Sequence, residues 1–136
     1  KLIVSLLVAT ALFISASITA QNKKITATVV NVTSDSGKVG FALYNKTTFM
    51  KVPIQAKNAK IVDGKSTVTF ENLDAGEYAI VCYHDKNDND KMDFQPNGMP
   101  LENYGASNNV MNFGPPSYEN AKFVVTDKNV SLNIKF

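Results

Sequence analysis

From residue 24 onward, apolar and polar side chains alternate in short runs, each closed by a cluster of Gly, Asn, Asp or Ser. Residues 24–32, KITATVVNV, set Ile25, Ala27 and Val29 against Thr26, Thr28 and Val30. That period of two is the mark of a β-strand with one face in a core. Residues 38–44 repeat it, with Val39, Phe41 and Leu43 on one face and Gly40, Ala42 and Tyr44 on the other. The intervening Ser34-Asp35-Ser36-Gly37 is turn chemistry, so a hairpin is expected between the two strands. Residues 45–53 follow neither period; Phe49, Met50 and Val52 there predict a loop that tucks apolar side chains inward. Asp63-Gly64-Lys65, between the β-branched runs 59–62 and 66–71, predicts a second hairpin.

After a turn at residues 72–76, residues 77–83, EYAIVCY, are almost wholly apolar. Such a run fits a central strand covered on both faces. Strands at residues 121–126 and 130–136 close the chain around Asp127-Lys128-Asn129. Short strands about ten residues apart, with no helical period, predict an all-β fold. The expected architecture is an antiparallel, immunoglobulin-like or transthyretin-like β-sandwich of about seven strands.

The first twenty residues break this pattern. Lys1 runs into LIVSLLVATALFISASITAQ, a basic residue, an apolar stretch and then small residues. This is the layout of a secretory signal peptide, residues 1–20, cut between Ala20 and Gln21. The rival reading is a membrane anchor over residues 2–18, near the lower length limit for a span; no basic stop-transfer cluster follows. Residues 21–136 then form one domain in the periplasm or outside the cell, without stable membrane insertion after cleavage. The formal charge of +2 becomes +1 once Lys1 is lost, and every basic residue is Lys. Without Arg for bidentate phosphate or base-edge contacts, a nucleic-acid partner is not expected. Cys82 is the single cysteine, so an internal disulfide is impossible and the thiol reads as a small buried hydrophobe.

One stretch carries candidate chemistry. In His84-Asp85-Lys86-Asn87-Asp88-Asn89-Asp90-Lys91-Met92-Asp93, oxygen-bearing side chains stand at every second position. Loops that wrap calcium place oxygens at positions 1, 3 and 5, a backbone carbonyl at 7 and an oxygen or bound water at 9. Asp85, Asn87, Asn89, Lys91 (through its carbonyl) and Asp93 fill those places, so calcium in a structural role is the expected cofactor. Position 6 is Asp90 where Gly is usual, and position 12 is Pro96 where a bidentate Glu is usual. The loop is therefore not an EF-hand, and further oxygens would come from water or from Glu102 if the chain folds back. Two charged ligands imply a dissociation constant of about 10⁻⁴–10⁻³ M. The bland alternative is a solvated turn rich in Asn and Asp.

The rest of the polar inventory is thin. His84, the single histidine, beside Asp85 or Glu102 is the one arrangement that would suit an envelope or extracellular hydrolase; otherwise it braces the loop. Tyr104, Phe113 and Tyr118 with Asn108, Asn109 and Asn112 either line a sugar-type surface or anchor a long return over residues 94–117. The nucleotide-binding, Ser-hydrolase and zinc-protease signatures are absent from the sequence.

Four ordered motifs, residues 73–79 (LDAGEYA), 84–93 (HDKNDNDKMD), 98–109 (GMPLENYGASNN) and 114–121 (GPPSYENA), together resemble a bacterial domain-of-unknown-function family, numbered two-one-four-one. The likeness covers essentially all of residues 21–136. It implies a small exported β-sandwich with no established activity and no catalytic residues to carry over. The family's loop resembles HDxNxNGxxD, and Asp90 stands where it has Gly; its later motif resembles GxPxExYGFSNN, and Ala106 stands where it has Phe. The resulting expectation is a non-enzymatic exported module whose calcium loop presents a surface to a protein or glycan partner. A hydrolase and a purely structural, metal-free envelope protein are the alternatives.

Overall fold

The computed structural model describes residues 22–110 and 112–136; the expected leader at residues 1–20 lies outside them. Among the described residues, eight strands form two facing sheets. The first holds β4 (Ser66–Leu73), β1 (Lys23–Val29) and β8 (Val130–Ile134), in that order. The second runs β3 (Gln55–Ala59), β2 (Lys38–Tyr44), β5 (Gly76–Asp85) and β6 (Tyr104–Ala106), with β7 (Phe123–Val125) paired to the start of β5. A single helical turn, α1 (Tyr118–Ala121), precedes β7. The all-β sandwich expected from the alternation is the fold observed. Strand direction is the refinement: β1 and β8 are parallel, pairing Ile25 with Val130 and Val29 with Ile134.

The core lies where the inward halves of the alternating runs meet. Ile25, Ala27 and Val29 of β1, Val68 and Phe70 of β4 and Ile134 of β8 face Val39, Phe41 and Leu43 of β2 and Ile80 and Cys82 of β5. Each large aliphatic or aromatic side chain removed from water in this way contributes about 1.5–3 kcal/mol. On the outer face of the first sheet, Thr26 bonds Thr69 and Thr28 bonds Thr67 through their hydroxyls, at 3.2 and 2.9 Å.

Neither predicted hairpin forms as a pair of strands. β1 and β2 lie in opposite sheets, as do β3 and β4. At Asp63-Gly64 the turn itself is present: both residues have positive φ, 51° and 73°, and Val62 and Lys65 exchange backbone hydrogen bonds of 2.8 and 3.1 Å. Beyond that bridge the chain parts, because β4 pairs with β1 and β3 with β2. In the loop at residues 45–53, Phe49 packs edge-on against Tyr44 and Tyr118. Met50 and Val52 instead face solvent, at 52% and 74% exposure, which corrects the expectation that all three tuck inward.

β5 is the organising strand. It pairs with β2 along one edge and with β6 and β7 along the other, as its apolar composition foretold. Its last residues, His84 and Asp85, deliver the chain into the oxygen-rich loop. β6 is a strand within the return that alternation did not reveal, since three residues are too few to show a period.

Candidate metal loop and its braces

Asp85 ends β5 fully buried. A buried carboxylate needs donors, and the loop provides them: the N–H of Asn89 donates to Oδ1 at 3.0 Å and that of Asp90 to Oδ2 at 2.8 Å. These bonds curl the chain around Asp85. The curl requires left-handed backbone at Asp88 (φ 56°) and Asp90 (φ 63°). A usual Gly at the sixth loop position fits that geometry, and Asp is among the residues that tolerate it.

The five expected ligands separate into two groups. Asn87 Nδ2 donates to Asp93 Oδ2 at 2.7 Å, and Asn89 Nδ2 reaches both Asp93 oxygens at 3.0 and 2.8 Å. These three side chains meet on one side of the loop, while the Lys91 N–H donates to Asn89 Oδ1 at 3.2 Å. On the other side, Asp85 joins Asp88 and Asp90, whose carboxylate oxygens lie within 4.8 Å of one another. Lys38 fills that trio. Its ammonium lies 2.6 Å from Asp88 and 3.7 Å from Asp85, and forms an ion pair with Asp90. The Asp88 carboxylate, and then that of Asp90, hold the Lys38 ammonium well above its ordinary value.

The donor chemistry on the Asn87–Asn89–Asp93 side suits a hard cation: one carboxylate and two amides, each of which presents oxygen instead of nitrogen after a half-turn about its last bond. Glu102 lies alongside. Its Oε1 accepts from the N–H of Lys86 and its Oε2 from the N–H of Asp93, both at 3.1 Å. The return therefore does fold back onto the loop, and Lys86, Asn87, Asp93, Phe94, Leu101 and Glu102 border one shallow depression.

His84 is a brace. It is buried, its Nε2 lies 2.7 Å from the Ser36 carbonyl oxygen, its backbone N–H donates to Asn103 O at 2.8 Å, and its ring stacks parallel to Phe136 at 6.5 Å. Asp85 and Glu102 are engaged elsewhere, with the loop backbone. Beneath it, Gly37 (φ 73°) presses on the root of the loop: a Cβ there would stand 2.0 Å from the Asp85 carbonyl oxygen. Glycine is required on both counts. Cys82 is buried, and burial pushes its thiol far above the ordinary 9.0.

Asn108 and Asn109, two of the amides expected either to line a ligand surface or to anchor the return, bond backbone, as does the neighbouring Ser107. Ser107 Oγ accepts from Ile80 N–H at 3.0 Å and also bonds Ala121 O. Asn108 Nδ2 donates to Asn120 O and Lys122 O at 2.9 and 2.8 Å. Asn109 takes Lys135 N–H and gives to Asn133 O, at 2.8 and 2.9 Å. Tyr104 Oη donates to Gly114 O and Tyr118 Oη to Glu77, whereas Phe113 is fully exposed. Tyr104, Ser107, Asn108, Asn109 and Tyr118 thus anchor the return, and Phe113 does not. Lys38, Asp88 and Asp90 are the site residues that sequence spacing missed; the Lys38–Asp85 pairing across β2 and β5 becomes visible only with the sheet register.

A family model described as "Uncharacterized protein conserved in bacteria (DUF2141)" matches residues 27–133. No curated protein and no solved structure matches the chain.

Proposed function

The chain belongs to this uncharacterised bacterial family, and from that premise we propose that it is an exported, non-enzymatic β-sandwich module whose loop at residues 85–93 holds calcium in a structural role. The observation that carries the reading is the grip of Glu102 on the backbone at both ends of the loop, beside the Asn87–Asn89–Asp93 group. A cation held there would fix the return at residues 94–117 in place, and the return would offer its surface to a protein or glycan partner in the periplasm or outside the cell. Asp85 contributes by folding the loop and Lys91 through its carbonyl. Among the described residues no helix is long and apolar enough to cross a membrane.

Calorimetric titration of the full chain with calcium tests this. With a dissociation constant of about 10⁻⁴–10⁻³ M, 10 mM calcium stabilises by about 1.4–2.7 kcal/mol. Such a gain raises Tm by roughly 5–15 °C over chelator for a domain of this size. Asp93→Ala should abolish the difference. Melting that is indifferent to calcium after exhaustive chelation would favour the metal-free structural reading instead.

A further inference from the structure

We propose that Lys38 is the resident cation of the loop: its tethered ammonium takes the place among Asp85, Asp88 and Asp90, so the curl stands closed without metal and a divalent ion is confined to the Asn87–Asn89–Asp93 side. The second half of this statement rests on the calcium reading above; the first does not.

Three observations converge on Lys38. The β2–β5 register sets Lys38 directly across from Asp85, so the lysine stem starts beside the buried carboxylate. An ammonium has three N–H donors and no acceptor, and three carboxylates surround this one. Asp88 and Asp90 reach it from left-handed backbone positions, a conformation that costs an L-residue energy unless the surroundings offset it. Without a positive charge between them, three carboxylates with oxygens inside 4.8 Å would repel one another and open the curl. Attachment through β2 keeps the ammonium at high local concentration, which a freely diffusing ion of modest affinity must overcome. Asn87, Asn89 and Asp93 instead meet one another through amide-to-carboxylate hydrogen bonds.

The amides of Asn89 and Asp90 report on the curl, because both donate to Asp85. Their hydrogen exchange is measured by NMR on the full chain in chelator, for the wild type, Lys38→Met and Lys38→Arg, with the core amide of Ile80 as the control for folding. Lys38→Met should lose about tenfold protection at both amides, in line with the loss of two or three partly exposed ion pairs, while Lys38→Arg keeps it. Wild-type protection in Lys38→Met would overturn the proposal. Should Lys38→Met fail to fold, Lys38→Met/Asp88→Asn/Asp90→Asn removes the like-charge repulsion together with the cation; recovered folding with protection at both amides supports the proposal, and continued failure to fold overturns it. Calcium titration of Asp88→Asn/Asp90→Asn, which alters exposed residues only, separates the two readings. An affinity within about twofold of wild type supports confinement to the other side, and a more than tenfold fall overturns it. No calcium binding to the wild type would refute the calcium reading and leave the exchange result standing.

Discussion

Asp85 shows how one residue type can meet two demands. Spacing marks it as the first ligand of a cation loop, and in the folded chain its carboxylate is a buried acceptor for two backbone N–H groups with an ammonium 3.7 Å away. Asp85→Ala therefore removes a charged acceptor and strands the amides of Asn89 and Asp90, while Lys38 keeps Asp88 and Asp90. A loss of about 2–4 kcal/mol is expected, read by denaturant titration in chelator so that metal plays no part. Cys82 makes the opposite case, a residue whose chemistry is suppressed. Its folded pKa is raised by burial above the ordinary 9.0, so the stability owed to the neutral thiol is fully present below that value. It declines as pH rises beyond 9.0, where the unfolded thiol ionises and the folded one does not. Thermal unfolding at stepped pH should show this alkaline decline, to which the raised Tyr44, Tyr78, Tyr83 and Tyr118 also contribute, and Cys82→Ala should lessen it; alkylation of the native thiol should be slow at neutral pH.

At the scale of elements, asparagine side chains do the work of missing strands. Asn109 offers its amide to β8 as a neighbouring backbone would, giving to Asn133 O and taking from Lys135 N–H. Asn31 does the same for Phe136, at 3.0 and 2.9 Å. Ser107 meanwhile ties β5 to the end of α1. The long return is held by these polar contacts more than by apolar burial, since Phe94, Met99, Leu101, Val110 and Phe113 are all exposed. Asn109→Ala should cost about 1–2 kcal/mol, and faster exchange at the Lys135 amide would localise the loss to β8. No stretch of alternating residues announces these contacts, because a side chain pairing with backbone leaves no period behind. The motif itself was visible; its role was decided by which carbonyls lay within reach.

For the whole molecule, the two sheets share one contiguous core cluster, with Phe70 of β4 fully buried in it beside residues of β2 and β5. Phe70→Ala should cost about 3–5 kcal/mol. Because one core serves both sheets, amides of β1 and of β5 should lose protection together; a loss confined to β4 and β1 would show instead that the sheets unfold separately.

The sequence by itself determined that the chain is a β-sandwich, which faces of β1, β2 and β5 are buried, and where the oxygen-rich loop sits. Those follow from side-chain period and local turn chemistry, both properties of neighbours along the chain. It could not determine which strands pair. Alternation is the same for parallel and antiparallel neighbours, so the β1–β8 pairing was hidden, and a good turn at Asp63-Gly64 does not oblige its flanks to stay in one sheet. Tertiary structure alone decided that Lys38, nearly fifty residues away in sequence, lies against Asp85. A β-ladder joins residues by register across strands, and register is set by the burial of the whole sheet rather than by anything local to the loop.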